Sequence, residues 1–343
     1  NDKWRLQGYL AYGFRDDKFK YGISGKWLLD KRSRFTIFGG QRRDVEQIGA
    51  SLTSSTDVLG RSLASSAVVG TGANDKLTNI SLTNFGMAIE PWRNLEVRLD
   101  GSYRKLRSAS PTFSLDYNDP KAPGGVSTEV NQFEGRLALS YFPKRQMTGF
   151  GVERYDANDD FPRVFAQISR GDKSMFNSDF DYTKLQFSYI QPWQIGGFGR
   201  LTSTIEAGKT YGEVPLGLLS VIPGNQSYFS IYNTFSQLDF YEFVTDTYAS
   251  LHLEHNFNGR LFSRIPLLRK LNLREIISVR GVWGELSDEN IALNSPTNIP
   301  LVAPNDEIYW EYSLGVGNIF KIFFSWCDKK AHHINGRWTY KKF

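Results

Sequence analysis

The sequence predicts an all-β fold, a transmembrane antiparallel β-barrel of roughly fourteen strands with long extracellular loops and short periplasmic turns. Three observations predict it. Apolar and polar residues alternate one by one in segment after segment, the period that sends successive side chains to opposite faces of a strand. Aromatic residues make up 15% of the 343 residues, more than a soluble core of this size needs, and they cluster at segment ends, where membrane barrels carry their girdles. With 40% hydrophobic residues and a mean hydropathy of -0.39, the chain holds no apolar run near the roughly 18 residues of a membrane helix. A soluble β-sandwich or propeller shares the alternation without the girdles.

Taken in order, the first segment sets Trp4, Leu6, Gly8, Leu10, Tyr12 and Phe14 against Lys3, Arg5, Gln7, Tyr9, Gly13 and Arg15. The second sets Phe19, Tyr21, Ile23, Trp27 and Leu29 against Lys18, Lys20, Ser24, Lys26 and Asp30. Leu95, Val97, Leu99 and Tyr103 then oppose Glu96, Arg98, Asp100, Ser102 and Arg104, and Phe133, Leu137, Leu139 and Tyr141 oppose Glu134, Arg136 and Ser140. Leu185, Phe187 and Tyr189 oppose Lys184, Gln186 and Ser188; Leu201, Ile205 and Ala207 oppose Arg200, Thr202, Thr204 and Glu206. Near the end Ala249, Leu251, Leu253 and Phe257 oppose Tyr248, Ser250, His252 and Glu254, and Ile308, Trp310, Tyr312, Leu314 and Val316 oppose Glu311, Ser313 and Gly315. Weaker segments fall at 34–42, 77–89, 164–170, 273–283, 321–327 and 336–343; parity slips near Asn84, where a bulge is expected.

With the C-terminus in the periplasm, the connections 30–33, 91–94, 191–198 and 318–320 fall inside and are tight, while 45–76, 107–127, 211–240 and 285–307 fall outside and are long. Two disagree: 15–18 is short but outside, and 258–272 is long but inside, where it reads as a short amphipathic helix at the inner rim. Trp4, Trp27, Trp92 and Trp193 mark the periplasmic ends, and Trp283, Trp310, Trp326 and Trp338 the outer ends. The net charge of +5 is spread along alternating strands with no basic stripe, which argues against nucleic-acid binding. The lone Cys327 leaves the redox compartment undetermined. No signal peptide precedes the first strand pattern, so residues 1–343 are expected to be one barrel domain from the C-terminal part of a longer precursor.

The second half carries a motif series: Ser178-Asp-Phe-Asp-Tyr-Thr-Lys184, Gly208-Lys209 with Gly212 and Pro215, Leu218-Leu219, Gly224-Asn225-Gln-Ser-Tyr228, Glu242-Phe-Val-Thr-Asp-Thr-Tyr248, His255-Asn-Phe-Asn-Gly259, and Ile265-Pro-Leu-Leu-Arg-Lys-Leu271 with Arg274-Glu275. This series resembles the Bacteroidetes-type outer-membrane barrel family of unknown function whose members usually carry an N-terminal carboxypeptidase-regulatory-like domain. That domain is absent from this chain, and the stretch 325–333 looks unlike the family's penultimate strand. The resemblance implies a barrel in the outer membrane of a Gram-negative bacterium and leaves the activity open.

Motifs for chemistry are sparse. His252-Leu-Glu254-His255 has metal-ligating types, but strand geometry sends His252 and Glu254 inward and His255 outward, so the ligands do not converge. His332-His333, read as part of an outer loop after Asp328, permits a rim-sited hydrolase only if a serine hydroxyl lies against an imidazole. Val279-Arg280-Gly281 is similar to a loop tripeptide of barrel insertases, yet it sits inside an alternating strand. No catalytic, cofactor or metal residues are assigned. The inward charges Lys20, Lys26, Glu96, Arg98, Asp100, Arg104, Glu134, Arg136, Lys184, Glu206, Glu254 and Glu311 mix both signs and are placed to pair across strands, which fits a plug as well as a wet pore.

The one candidate site is the connection 211–240, with Pro215, Leu218, Leu219, Gly224, Asn225 and Tyr228. Its Leu216, Leu218, Leu219, Val221, Ile222, Phe229 and Phe235 are too apolar for an exposed loop. It is expected either to close the barrel mouth as a lid, with Leu218 and Leu219 buried, or to dock a partner. The expected role is structural, assembly-related or transport-related within a larger protein or complex. The partners expected are outer-membrane lipid and other outer-membrane proteins; the alternatives are a rim hydrolase, an insertase-like protein, and a passive or gated pore.

Overall fold

The computed structural model describes residues 3–13, 18–48, 76–110, 112–225, 233–305 and 307–319, and the backbone of 323–334 and 337–341. Long alternating strands dominate: β1 (Trp4–Gly13), β2 (Lys18–Leu28), β3 (Thr36–Glu46), β4 (Thr78–Trp92), β5 (Leu95–Ser108), β6 (Glu129–Tyr141), β7 (Arg163–Gly171), β8 (Tyr182–Gln194), β9 (Arg200–Tyr211), β10 (Thr247–Asn256), β11 (Arg274–Glu285), β12 (Tyr309–Ile319), β13 (Phe323–Ile334) and β14 (Arg337–Lys341). They form one 14-stranded sheet in which each strand pairs with its neighbours in sequence, all antiparallel. The sheet runs from β1 to β14, and among the described residues no ladder joins those two edges. Two-residue strand pairs, such as Ser220–Val221 with Val244–Thr245, lie in the connections.

The alternation sorts the faces as strand geometry requires. Leu6, Leu10, Phe85, Leu99, Ile205 and Leu314 are exposed on one face, while Arg98, Asp100, Ser102, Glu134, Arg136, Ser188 and Glu206 are buried on the other. The sheet is curved, since the buried faces of β4, β5, β6 and β8 share one apolar cluster built largely from loop residues, and those of β10, β11 and β12 share a second. At the short-turn end Asn94 and Asn318 take left-handed backbone angles, φ 64° and 62°, which asparagine tolerates better than most residues.

Four expectations change. No bulge occurs at Asn84: β4 holds its register with β3 and β5 through that residue and shifts only between Ile89 and Trp92, where Pro91 cannot donate to the ladder. The parity seemed to slip because Ile80 and Leu82 are apolar yet face the buried side, against the loops. A second long connection, 142–162, leaves the short-turn end. Its small hairpin pairs Tyr155–Asp156 with Met147–Thr148 and folds back along the sheet, where Arg154 meets Glu90 at 2.6 Å, Arg34 donates to the Gly151 carbonyl at 2.5 Å, and Arg5 pairs with Glu153. The helix expected within 258–272 shrinks to one 3-10 turn, Phe262–Arg264, and the four-residue helix α1, Pro266–Arg269. His332 and His333 are strand residues of β13, paired with Thr339 and Trp338, so they belong to no loop. That placement removes the basis for a loop-borne hydrolase site.

Candidate functional site

The site builds up from the inward face of the wall. Asp100 on β5 lies opposite Arg136 on β6, and its Oδ1 accepts from Arg136 Nη2 at 2.9 Å and from Arg98 Nε at 3.1 Å; Asn84 donates to Oδ2 at 3.0 Å. The Arg98 guanidinium also lies 3.8 Å from the ring centre of Phe38. One turn of the pleat toward the long loops, Arg104 donates to Glu134 Oε1 at 2.9 Å while the Tyr182 hydroxyl donates to Oε2 at 2.5 Å. Further along the same face Arg280 and Glu311 are direct cross-strand partners of β11 and β12, 3.7 Å apart. Asp100, Glu134 and Glu311 thus each lie against a guanidinium group, and Asp100 serves two.

Above the charges the long connections fold inward. Val214, Leu216, Leu218, Leu219, Val221 and Ile222 are buried, as are Phe113 and Leu115 from the connection after β5. Of the residues singled out in the sequence, Pro215 starts a tight turn, its carbonyl accepting from Leu218 N at 2.8 Å. Leu218 and Leu219 are only 5% and 4% exposed, and the Leu218 carbonyl accepts from Lys184 Nζ on β8 at 3.3 Å. Gly224 bridges to Phe235, and a side chain there would collide with the Leu238 carbonyl. Asn225 N donates to Phe235 O at 2.9 Å, and Tyr228 lies outside the described residues.

Three connections are stitched together largely by asparagines that the sequence reading passed over. Asn290 and Asn294, on and just after helix α2 (Asp288–Leu293), accept from the backbone N–H groups of Val214 (2.9 Å) and Leu216 (2.6 Å), and Asn294 donates back to Val214 O at 3.0 Å. Asn118 donates to Ala292 O at 2.8 Å, and Asn298 Oδ1 accepts from Ser114 N at 2.9 Å. Glu311, fully buried, accepts from Ser236 N, Gln237 N and the Tyr309 hydroxyl, each at 2.8 Å. The signal for α2 was present in Ser287-Asp288-Glu289, a helix-start composition. No local pattern marks a loop asparagine that will serve another loop.

At the foot of this cap Asp246 holds Ser287 N at 2.8 Å, Asn290 Nδ2 at 3.2 Å and Thr247 Oγ1 at 3.0 Å. Burial works to raise its pKa, but the donors from Ser287, Asn290 and Thr247 outweigh it and hold the carboxyl below its ordinary value. Burial pushes the Tyr117 phenol, packed in the same cap, up to about 12. Neither group is poised for proton transfer near neutral pH. His252 packs its ring against Phe235 at 4.7 Å, whereas His255 faces the other way, stacks on Phe257 and reaches the Phe198 carbonyl at 2.8 Å, so the metal-type residues diverge.

Residues 115–289, just over half of the chain, match the model of the C-terminal domain of a family of unknown function (DUF5686), and the chain belongs to that family. The match contains the whole motif series of 178–275. No curated protein matches the chain. Among solved structures, BamA from Haemophilus ducreyi lacking POTRA domains 1-3 superposes with a TM-score of 0.52 at 9% identity, over 100% of this chain and 69% of that one. OccK10 (OpdN) from Pseudomonas aeruginosa gives 0.34 at 12% identity, over 96% of this chain and 81% of that one. The first likeness places the sheet in a β-barrel type of fold and carries nothing on activity.

Proposed function

We propose that this member of the family is an outer-membrane β-barrel of a Gram-negative bacterium whose outer mouth is shut by its own loops, and that it serves a structural or assembly role rather than free diffusion. The observation that carries this reading is the cap: three connections, stitched by side-chain amides, bury Leu216, Leu218, Leu219 and Phe235 over a layer of ion-paired side chains. Exposed leucines and aromatics on the opposite face supply the lipid band. In this reading residues 1–343 are one barrel domain, the edges β1 and β14 meet to close the wall, and an N-terminal carboxypeptidase-regulatory-like domain of Bacteroidetes type belongs to the longer protein. The loop with Pro215, Leu218, Leu219, Gly224, Asn225 and Tyr228 is then the lid, and outer-membrane lipid and other outer-membrane proteins are its partners.

Conductance in planar bilayers tests it. The full chain should insert without steady single-channel steps, and Leu216→Asp with Leu219→Asp, which put carboxylates into the apolar cap, should produce them. Large, stable conductance from the unmodified chain would replace the shut barrel with an open pore.

A further inference from the structure

The connection 258–272 at the short-turn end combines exposed cations with exposed aliphatic side chains. Arg260, Arg264, Arg269, Lys270 and Arg274 fall within it or at its exit, all exposed, and among the described residues none forms an ion pair with a carboxylate. Between these cations Leu267 is 82% exposed, with Leu261, Ile265 and Leu271 also exposed. A soluble surface does not keep four large aliphatic side chains in water within so short a segment. The segment also has a defined side. Glu275 takes the same parity on β11 as the exposed Ile277, yet it is buried because its carboxylate accepts from Phe262 N. The segment therefore lies along the apolar outer face of the wall instead of under the lumen.

Beside it opens a cleft of about 610 Å³ whose lining includes Arg260, Arg269, Arg274, Gly197 and Asn318. Arg260 stacks over Phe198, 5.4 Å from the ring centre, and Asn318 fixes the far wall by donating to Asn272 O at 2.7 Å. Trp193, exposed, stands at the adjoining end of β8. Unpaired guanidinium groups around a polar cleft, with leucines on one flank, match an anion carrying hydrocarbon chains.

We infer that this cleft is a binding site for one anionic phospholipid of the inner leaflet, its phosphate between Arg260 and Arg269 and its acyl chains against Leu267, Leu271 and the wall. The site rests on the membrane reading above. Bound there, the lipid anchors the barrel at a fixed depth.

The test uses the full chain refolded in detergent micelles doped with either phosphatidylglycerol or phosphatidylcholine, with retained lipid counted by native mass spectrometry and folding followed by heat-modifiable gel mobility. The unmodified chain should retain one phosphatidylglycerol about thirtyfold more tightly than phosphatidylcholine, which is the scale expected for two cation contacts. The variant Arg260→Glu with Arg269→Glu should lose that preference and still fold. Lys31→Glu with Arg32→Glu, in another basic turn, should keep it, and millimolar glycerol phosphate should not displace the lipid. Equal retention of the two lipids by a folded chain would overturn the site alone. So would loss in the Lys31 and Arg32 control, or displacement by glycerol phosphate, which would mean a free-phosphate site. Failure to show heat-modifiable mobility in any lipid would overturn the membrane reading and the site with it.

Discussion

Replacing Asp100 with alanine removes the carboxylate that two buried guanidinium groups share. The side chains of Asp100, Arg136 and Arg98 are 1%, 4% and 7% exposed, so water cannot take over the role of the missing anion. A unit charge about 4 Å from a partner attracts it by roughly 4 kcal/mol at the effective dielectric of a protein site, and Asp100 has two such partners at 2.9 and 3.1 Å. Desolvation and the mutual repulsion of the two arginines consume much of that gain. The net loss should match other buried pairs broken on one side, about 3 to 5 kcal/mol. Asp100→Ala should lower the urea midpoint of the refolded chain in vesicles accordingly, read by tryptophan fluorescence and gel mobility. Removing all three charges with Asp100→Leu, Arg98→Met and Arg136→Met should recover most of the loss, because apolar groups of similar size replace a costly ion cluster. If Asp100→Ala fell within about 1 kcal/mol of the unmodified chain, or the triple variant were worse than the single one, the matched-charge account of the lumen would be wrong.

Other perturbations probe separate layers. Leu99→Arg, one residue away on the exposed face, should destabilise the barrel in vesicles by about 2 to 4 kcal/mol, and an effect below about 1 kcal/mol would move Leu99 away from hydrocarbon. Gly86→Ala should cost about 1 to 3 kcal/mol, since a Cβ there would sit 2.6 Å from the Leu99 carbonyl and 2.7 Å from Phe38 Cζ; an unchanged urea midpoint would show that β4 and β5 are less closely packed. The Asp246 carboxyl titrates below its ordinary value of 3.8 in the folded cap, so its contribution is complete above that value and fades as pH falls through the folded pKa. Hydrogen exchange at Ser287, corrected for the intrinsic rate, should therefore hold its protection down to pH 3.8 and lose it below that value. Asp246→Asn should start from lower protection and show no such step, and a step retained in that variant would assign the titration elsewhere.

The wall was legible because a strand of a two-faced sheet leaves a period of two in the sequence, and that signal survives in segments such as Leu95–Ser108 and Glu129–Tyr141. It failed where the inner face stopped being polar. Ile80 and Leu82 read as a slip in parity, although the residue they break with, Asn84, keeps the same face as both. His332 and His333 read as loop because adjacent histidines carry no strand signal, and only the ladder to Thr339 and Trp338 places them. The burial of Leu218 and Leu219 was readable from their apolarity. The partners were not, since Asn290 and Asn294 satisfy backbone groups some 80 residues away, as the Asn294 to Val214 separation shows. Long-range complementarity of this kind leaves no local pattern.

The cap also sets an order of assembly. Wall contacts join neighbouring hairpins, whereas the bonds that knit the cap span 184 residues between Ser114 and Asn298, 174 between Asn118 and Ala292, and 164 between Lys76 and Phe240. Contacts so distant in sequence carry a loop-closure penalty that falls only once the intervening chain is already organised. The hairpins must therefore line up first and bring the three connections within reach. In the barrel proposed above, the mouth would then stand open after the wall has formed and shut in a later, slower step, so that a newly inserted chain would pass through a leaky stage.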